Sequence, residues 1–137
     1  MPIKVGWYIE EKVTYLQLIG DFTNKSFIEA ANYCSQLARS SSTEQVHLIV
    51  DVTNATSGIE INSFRKLEVP PNGGWTMIVG SADGIARFTG SVMFQLLKQK
   101  FKFVDTLEES IDELIDIDTS LAPKQANYDI IIRKEFD

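Results

Sequence analysis

Few residues in this sequence are of a type that could do chemistry, and they fall into three places. His47 is the only histidine and Cys34 the only cysteine. The imidazole stands at the start of an apolar run, with no cysteine or serine near it in sequence to activate, so it reads as a structural histidine rather than a general base. Cys34 lies on the apolar stripe of a helix and reads as a small core residue. The second place is the turn after that run. Asp51 ends it, Thr53, Asn54 and Thr56 follow, and Ser57-Gly58 opens a helix in which Ser57 and Glu60 have capping-box spacing. The carboxyl end of a strand in an α/β sheet is where ligands and partners bind, which makes Asp51, Thr53, Asn54, Thr56, Ser57 and Gly58 the first candidate site. The third place is Ser81, Asp83 and Arg87, around a predicted helix amino terminus, where free N–H groups and a guanidinium could hold an anion. The pattern GxxxxGK[ST] is absent, and a plain helix cap with a surface arginine accounts for the same residues.

Other chemistry is excluded by spacing. Asp105 to Asp118 carry seven carboxylates and no cation. They read as a solvated helix face, because the glycine of a calcium loop is missing. No metal-ligand cluster, catalytic triad or cofactor motif occurs, so neither a catalytic residue nor a cofactor is expected.

The elements that must position these residues follow from periodicity. Val46, Leu48, Ile49, Val50 and Val52 form a short β-branched run, expected to be the central strand and buried on both faces. Ile3 to Glu10 and Lys12 to Ile19 read as a hairpin. Thr23 can cap a helix whose apolar positions Phe27, Ile28, Ala31, Cys34, Leu37 and Ala38 recur at three and four. A second helix is expected from Ser57 until Pro70-Pro71 stops it, then a strand at Trp75 to Gly80. A third helix is expected from Gly84 to Lys102, a short strand at Phe103 to Asp105, and a fourth helix from the Thr106/Glu109 capping box. Tyr128 to Arg133 is strand-like, and its three isoleucines should pair with an edge of its own sheet or with a neighbouring chain. The expected fold is therefore α/β, with a mixed, mostly parallel sheet and four helices in the order β-β-α-β-α-β-α-β-α. Residues 1–118 would form the domain, and 119–137 an extension that supplies an edge strand or a dimer contact.

The chain has 137 residues, 44% of them hydrophobic, which suits one core. Nineteen acidic against thirteen basic residues give a net charge of −6, which disfavours nucleic acid and anionic membrane surfaces as partners. With no apolar span, no signal-peptide pattern and one cysteine, the expected location is cytoplasmic.

The element order, the strand Leu48-Ile49-Val50-Asp51-Val52-Thr53 and the Thr56-Ser57-Gly58 turn together resemble the STAS domain (sulphate transporter and anti-sigma factor antagonist). Trp75 to Gly80, Arg87-Phe88 and Phe101 to Ile111 are similar to its SpoIIAA-like branch. The resemblance covers Lys4 to Asp118. It implies a non-enzymatic signalling module that binds a regulatory protein and is switched by phosphorylation of a serine before the second helix. Asp51 matches the aspartate ending the strand, and Ser57-Gly58 is the nearest match to the phospho-acceptor turn, though no acidic residue precedes Ser57. The branch also bears a likeness to CRAL-TRIO lipid-transfer domains. That implies an alternative, a small apolar or anionic ligand held between the sheet and the second and third helices.

Overall fold

The first two strands, β1 (Ile3–Ile9) and β2 (Val13–Gly20), are buried over most of their length on both faces and pair antiparallel from Ile3↔Leu18 to Ile9↔Val13. The turn between them is closed by the Lys12 N–H donating to the Ile9 carbonyl at 3.0 Å, with Glu11 in the left-handed region at φ 71°. The computed structural model describes residues 2–56, 58, 67–81, 83, 100–121 and 130–137.

After β2 the chain enters α1 (Asn24–Ser40), capped by Thr23, whose hydroxyl accepts from the Ser26 N–H at 3.0 Å. Then come β3 (Val46–Ala55), β4 (Gly73–Val79), β5 (Phe101–Val104), α2 (Leu107–Ile117) and β6 (Ile131–Phe136). The six strands form one sheet in the order β5-β4-β3-β2-β1-β6. β2 with β3, β3 with β4 and β4 with β5 pair parallel, while β1 pairs antiparallel to both β2 and β6. Thr106 caps α2 by accepting from the Glu109 N–H at 3.1 Å, and the Glu109 carboxylate accepts from the Asp105 N–H at 3.2 Å.

The sheet divides the core in two. On the α1 side, Val5, Leu16, Leu18, Val50, Val52 and Ile78 pack with Phe27, Ala30 and Cys34. On the α2 side, Tyr15, Ile49, Met77, Val79 and Val104 pack with Ile111 and Leu114. Successive β3 residues supply the two cores in turn, which is why Leu48, Ile49 and Val50 run apolar without a break.

The four-helix order expected from periodicity is corrected by this architecture. Among the described residues there are six strands and two helices, in the order β-β-α-β-β-β-α-β. The second and third expected helices fall largely on residues 57, 59–66 and 84–99, which lie outside the described ones. The sequence order also omitted the last strand, because β6 belongs to the same sheet as the rest and occupies its edge beside β1.

β6 begins at Ile131, three residues after the start read from the sequence, and residues 128 and 129 lie outside the described ones. It extends to Phe136, whose ring meets Tyr33 of α1 edge-on at 6.1 Å between centroids. Lys134 lies over both rings, at 5.5 Å from Tyr33 and 5.1 Å from Phe136, and the Ser26 hydroxyl donates to the Asp137 carbonyl. Cation–ring contact rather than isoleucine burial thus joins β6 to the helix, since Ile131 and Ile132 stay about two-fifths exposed, at 42% and 41%.

No helix among the described residues is long and apolar enough to cross a membrane.

Candidate functional site

At the carboxyl end of β3 the sequence called for a turn, but Thr53, Asn54 and Ala55 continue the strand. Local propensity favours a turn for Asp, Thr and Asn. It is outweighed by parallel pairing with β2, where Ile19 faces Asn54 and Gly20 faces Ala55 after a shift in register. Asp51 therefore sits inside the strand and is buried. One carboxylate oxygen, Oδ2, accepts from the Tyr15 hydroxyl at 2.8 Å. The other, Oδ1, accepts from the Thr53 N–H at 3.0 Å and the Thr53 hydroxyl at 2.6 Å. Burial first, then the adjacent Asp51 carboxylate, push the Tyr15 hydroxyl far above its usual range, so the phenol stays a donor. With both oxygens engaged, Asp51 is a clamp rather than a free ligand group. Its effect is to present Thr53 and Asn54 outward, both exposed. Thr56 is tied to the preceding loop, its hydroxyl donating to Asp21 Oδ1 at 2.6 Å and its N–H to the Gly20 carbonyl at 2.9 Å. Gly58 is exposed and Ser57 lies outside the described residues. Of the expected anion site, Ser81 and Asp83 are exposed and Arg87 lies outside the described residues.

His47 is fully buried on the α2 side of the sheet. Its Nδ1 accepts from the Trp75 N–H at 2.9 Å, so this nitrogen carries no proton, and Nε2–H donates to Asp118 Oδ2 at 2.8 Å. Asp118 also accepts from the Ser120 N–H and hydroxyl through Oδ1. Burial alone would raise the Asp118 carboxyl, but the hydrogen bonds from Ser120 and His47 outweigh it and hold the group below the usual carboxylate range. The imidazole thus joins the start of β4 to the end of α2, with neither nitrogen left for a substrate. Gly74 permits this approach. A Cβ there would run into His47 Nδ1 and lie 2.7 Å from Cε1.

The described residues enclose one further feature, on the α1 side. A cavity of about 310 Å³ opens between α1, the amino-terminal halves of β3 and β4, and residues 67–70. Ala31, Cys34 and Ala38 of α1 form one wall, and Leu48 with Thr76 form the floor. The wall is hollow because three small side chains stand where a helix on a sheet normally places large ones. Two of the polar groups around it are already satisfied: the Thr14 hydroxyl donates to the His47 carbonyl at 3.2 Å, and the Ser35 hydroxyl to the Glu68 carbonyl at 2.7 Å. Burial pushes the Cys34 thiol up to about 12, which keeps it protonated and unreactive beside the cavity.

Sequence reasoning missed the cavity, whose lining comes from five separate segments. The small residues at 31, 34, 35 and 38 along one side of a helix were the available signal. It missed Asp118 as the partner of His47 for the same reason, the two being 71 residues apart.

Fold and site together define an α/β domain: a mixed sheet, an apolar cavity on one face, and His47, Asp51 and Asp118 tied up in structural hydrogen bonds. No family model, no curated protein and no solved structure matches the chain.

Proposed function

We propose that this protein is a non-enzymatic binding module, acting in the cytoplasm, that takes a small apolar ligand in the cavity beneath α1. The cavity itself carries this reading. At about 310 Å³ it lies at the lower end of the range for small-molecule sites, mostly apolar with a few hydroxyls. The occupied nitrogens of His47 and the protonated thiol of Cys34 favour binding over catalysis. A volume of this size equals about ten waters, so the ligand has on the order of ten non-hydrogen atoms. 1-Octanol is a suitable probe. Calorimetric titration is expected to give a Kd on the order of 0.1–1 mM with a negative heat-capacity change, the mark of apolar burial. Ala38→Leu, which fills the cavity from the helix side, should weaken binding at least about tenfold while melting at or above the wild-type temperature. Undiminished binding in a folded Ala38→Leu would rule this site out.

The exposed end of β3 supports a second reading, the regulatory protein-interaction module of STAS type. Asp51 fixes Thr53 and Asn54 in one conformation, so a partner could dock there without first ordering the chain. Asn54→Arg should then reduce recovery of a protein captured from source cells while leaving the melting temperature within about 2 °C. Equal recovery of every partner by both forms would remove this surface from consideration.

A further inference from the structure

One polar side chain on the cavity is left without a task. Thr76 pairs with Leu48 across β3 and β4, and Leu48 packs on the α1 side, so the Thr76 side chain rises from the sheet into the cavity floor. It is half-buried, and its hydroxyl has no partner among the described residues. The neighbouring hydroxyls are engaged, that of Thr14 with the His47 carbonyl and that of Ser35 with the Glu68 carbonyl. A threonine hydroxyl both donates and accepts, so it suits a hydroxyl or a carbonyl oxygen alike.

No free charge accompanies it. Of the described residues around the cavity only Glu68 and Lys100 are charged. The Glu68 carboxylate lies 3.2 Å from the Arg39 guanidinium, which commits both groups. Lys100 contributes backbone, its carbonyl accepting from the Thr76 N–H at 2.8 Å. Its side chain goes elsewhere. Phe101 pairs with Thr76 and shares its face, so Lys100 leaves on the opposite face, the one on which Lys102 reaches Glu113 at 2.9 Å. A carboxylate seated on Thr76 would therefore lose its water and gain no cation among the described residues, which is costly.

We infer that the ligand of this cavity is a neutral amphiphile, an alcohol or carbonyl compound whose one polar oxygen hydrogen-bonds to the Thr76 hydroxyl while its apolar body lies against Ala31, Cys34 and Ala38. This rests on the ligand-binding reading of the cavity and adds what that reading leaves open, the head group and the residue that selects it. Anionic amphiphiles of the same length are rejected because no free cation awaits them.

The test is calorimetry on the full chain with 1-octanol, octanoate and ethylbenzene, the last an apolar probe with no oxygen. Octanoate is expected to bind wild type at least about tenfold more weakly than 1-octanol. Thr76→Val, which keeps the shape and removes the hydroxyl, should weaken 1-octanol about fivefold and leave ethylbenzene unchanged, whereas Thr76→Ser should retain most of the octanol affinity. Octanoate binding as tightly as 1-octanol, or 1-octanol binding undiminished in Thr76→Val, would overturn the head-group assignment while the cavity itself stands. If neither 1-octanol nor ethylbenzene binds wild type, the cavity reading and the head-group assignment fall together.

Discussion

His47→Ala is expected to destabilise the protein by about 3–5 kcal/mol, a large share of the stability of a single domain. Three losses combine. The Trp75 N–H loses its acceptor at the start of β4, the buried volume of the imidazole becomes a void, and Asp118 loses the donor at 2.8 Å. Asp118 is only 15% exposed, so water replaces that donor incompletely. Asp118→Asn should cost less, because an amide oxygen can still accept from Nε2–H, but it changes the pH response. The Asp118 carboxyl is held below its unfolded range, so its contribution is complete above that range and is lost as pH falls through the lower folded value. Wild type should therefore lose its advantage over Asp118→Asn below about pH 4. Urea midpoints measured from pH 7 downward check both statements. A constant gap between the two proteins across that range would show that the His47–Asp118 contact is electrostatically idle.

The second large effect is expected at Gly6. A Cβ there would fall on the Ile131 carbonyl oxygen and lie 2.8 Å from Ile132 Cα. Those are backbone atoms, which cannot rotate away as a side chain would. Gly6→Ala should therefore force β6 off β1 at a cost at or above the upper end of about 1–3 kcal/mol, releasing Phe136 from Tyr33 and Lys134 from both rings. Hydrogen exchange gives the direct readout: amides 131–136 should lose protection while those of β2, β3 and β4 keep theirs. Wild-type protection at 131–136 in a folded Gly6→Ala protein would show that β1 yields instead.

What the sequence could and could not disclose follows from which interactions are local. The β-branched run at Val46 to Val52 and the Thr106/Glu109 pair are local, and β3 and the α2 cap stand where those residues put them. Thr53 and Asn54 show the opposite case. Their own preference is for a turn, and they are strand only because β2 offers a parallel partner and Asp51 holds Thr53 from within the strand. His47 read as structural from its isolation, yet its partner Asp118 lay hidden in a run of carboxylates that looked uniformly solvated. The cavity left the weakest trace, since a stripe of small residues on a helix signals close packing as readily as empty space.

The most direct test of the ligand-binding account is a nitrogen–proton correlation spectrum of the labelled protein titrated with 1-octanol. Shifts should concentrate at Ala31, Cys34, Ala38, Leu48 and Thr76, and should saturate with a single Kd. Shifts centred instead on Thr53, Asn54 and Thr56, or a linear drift that never saturates, would contradict it.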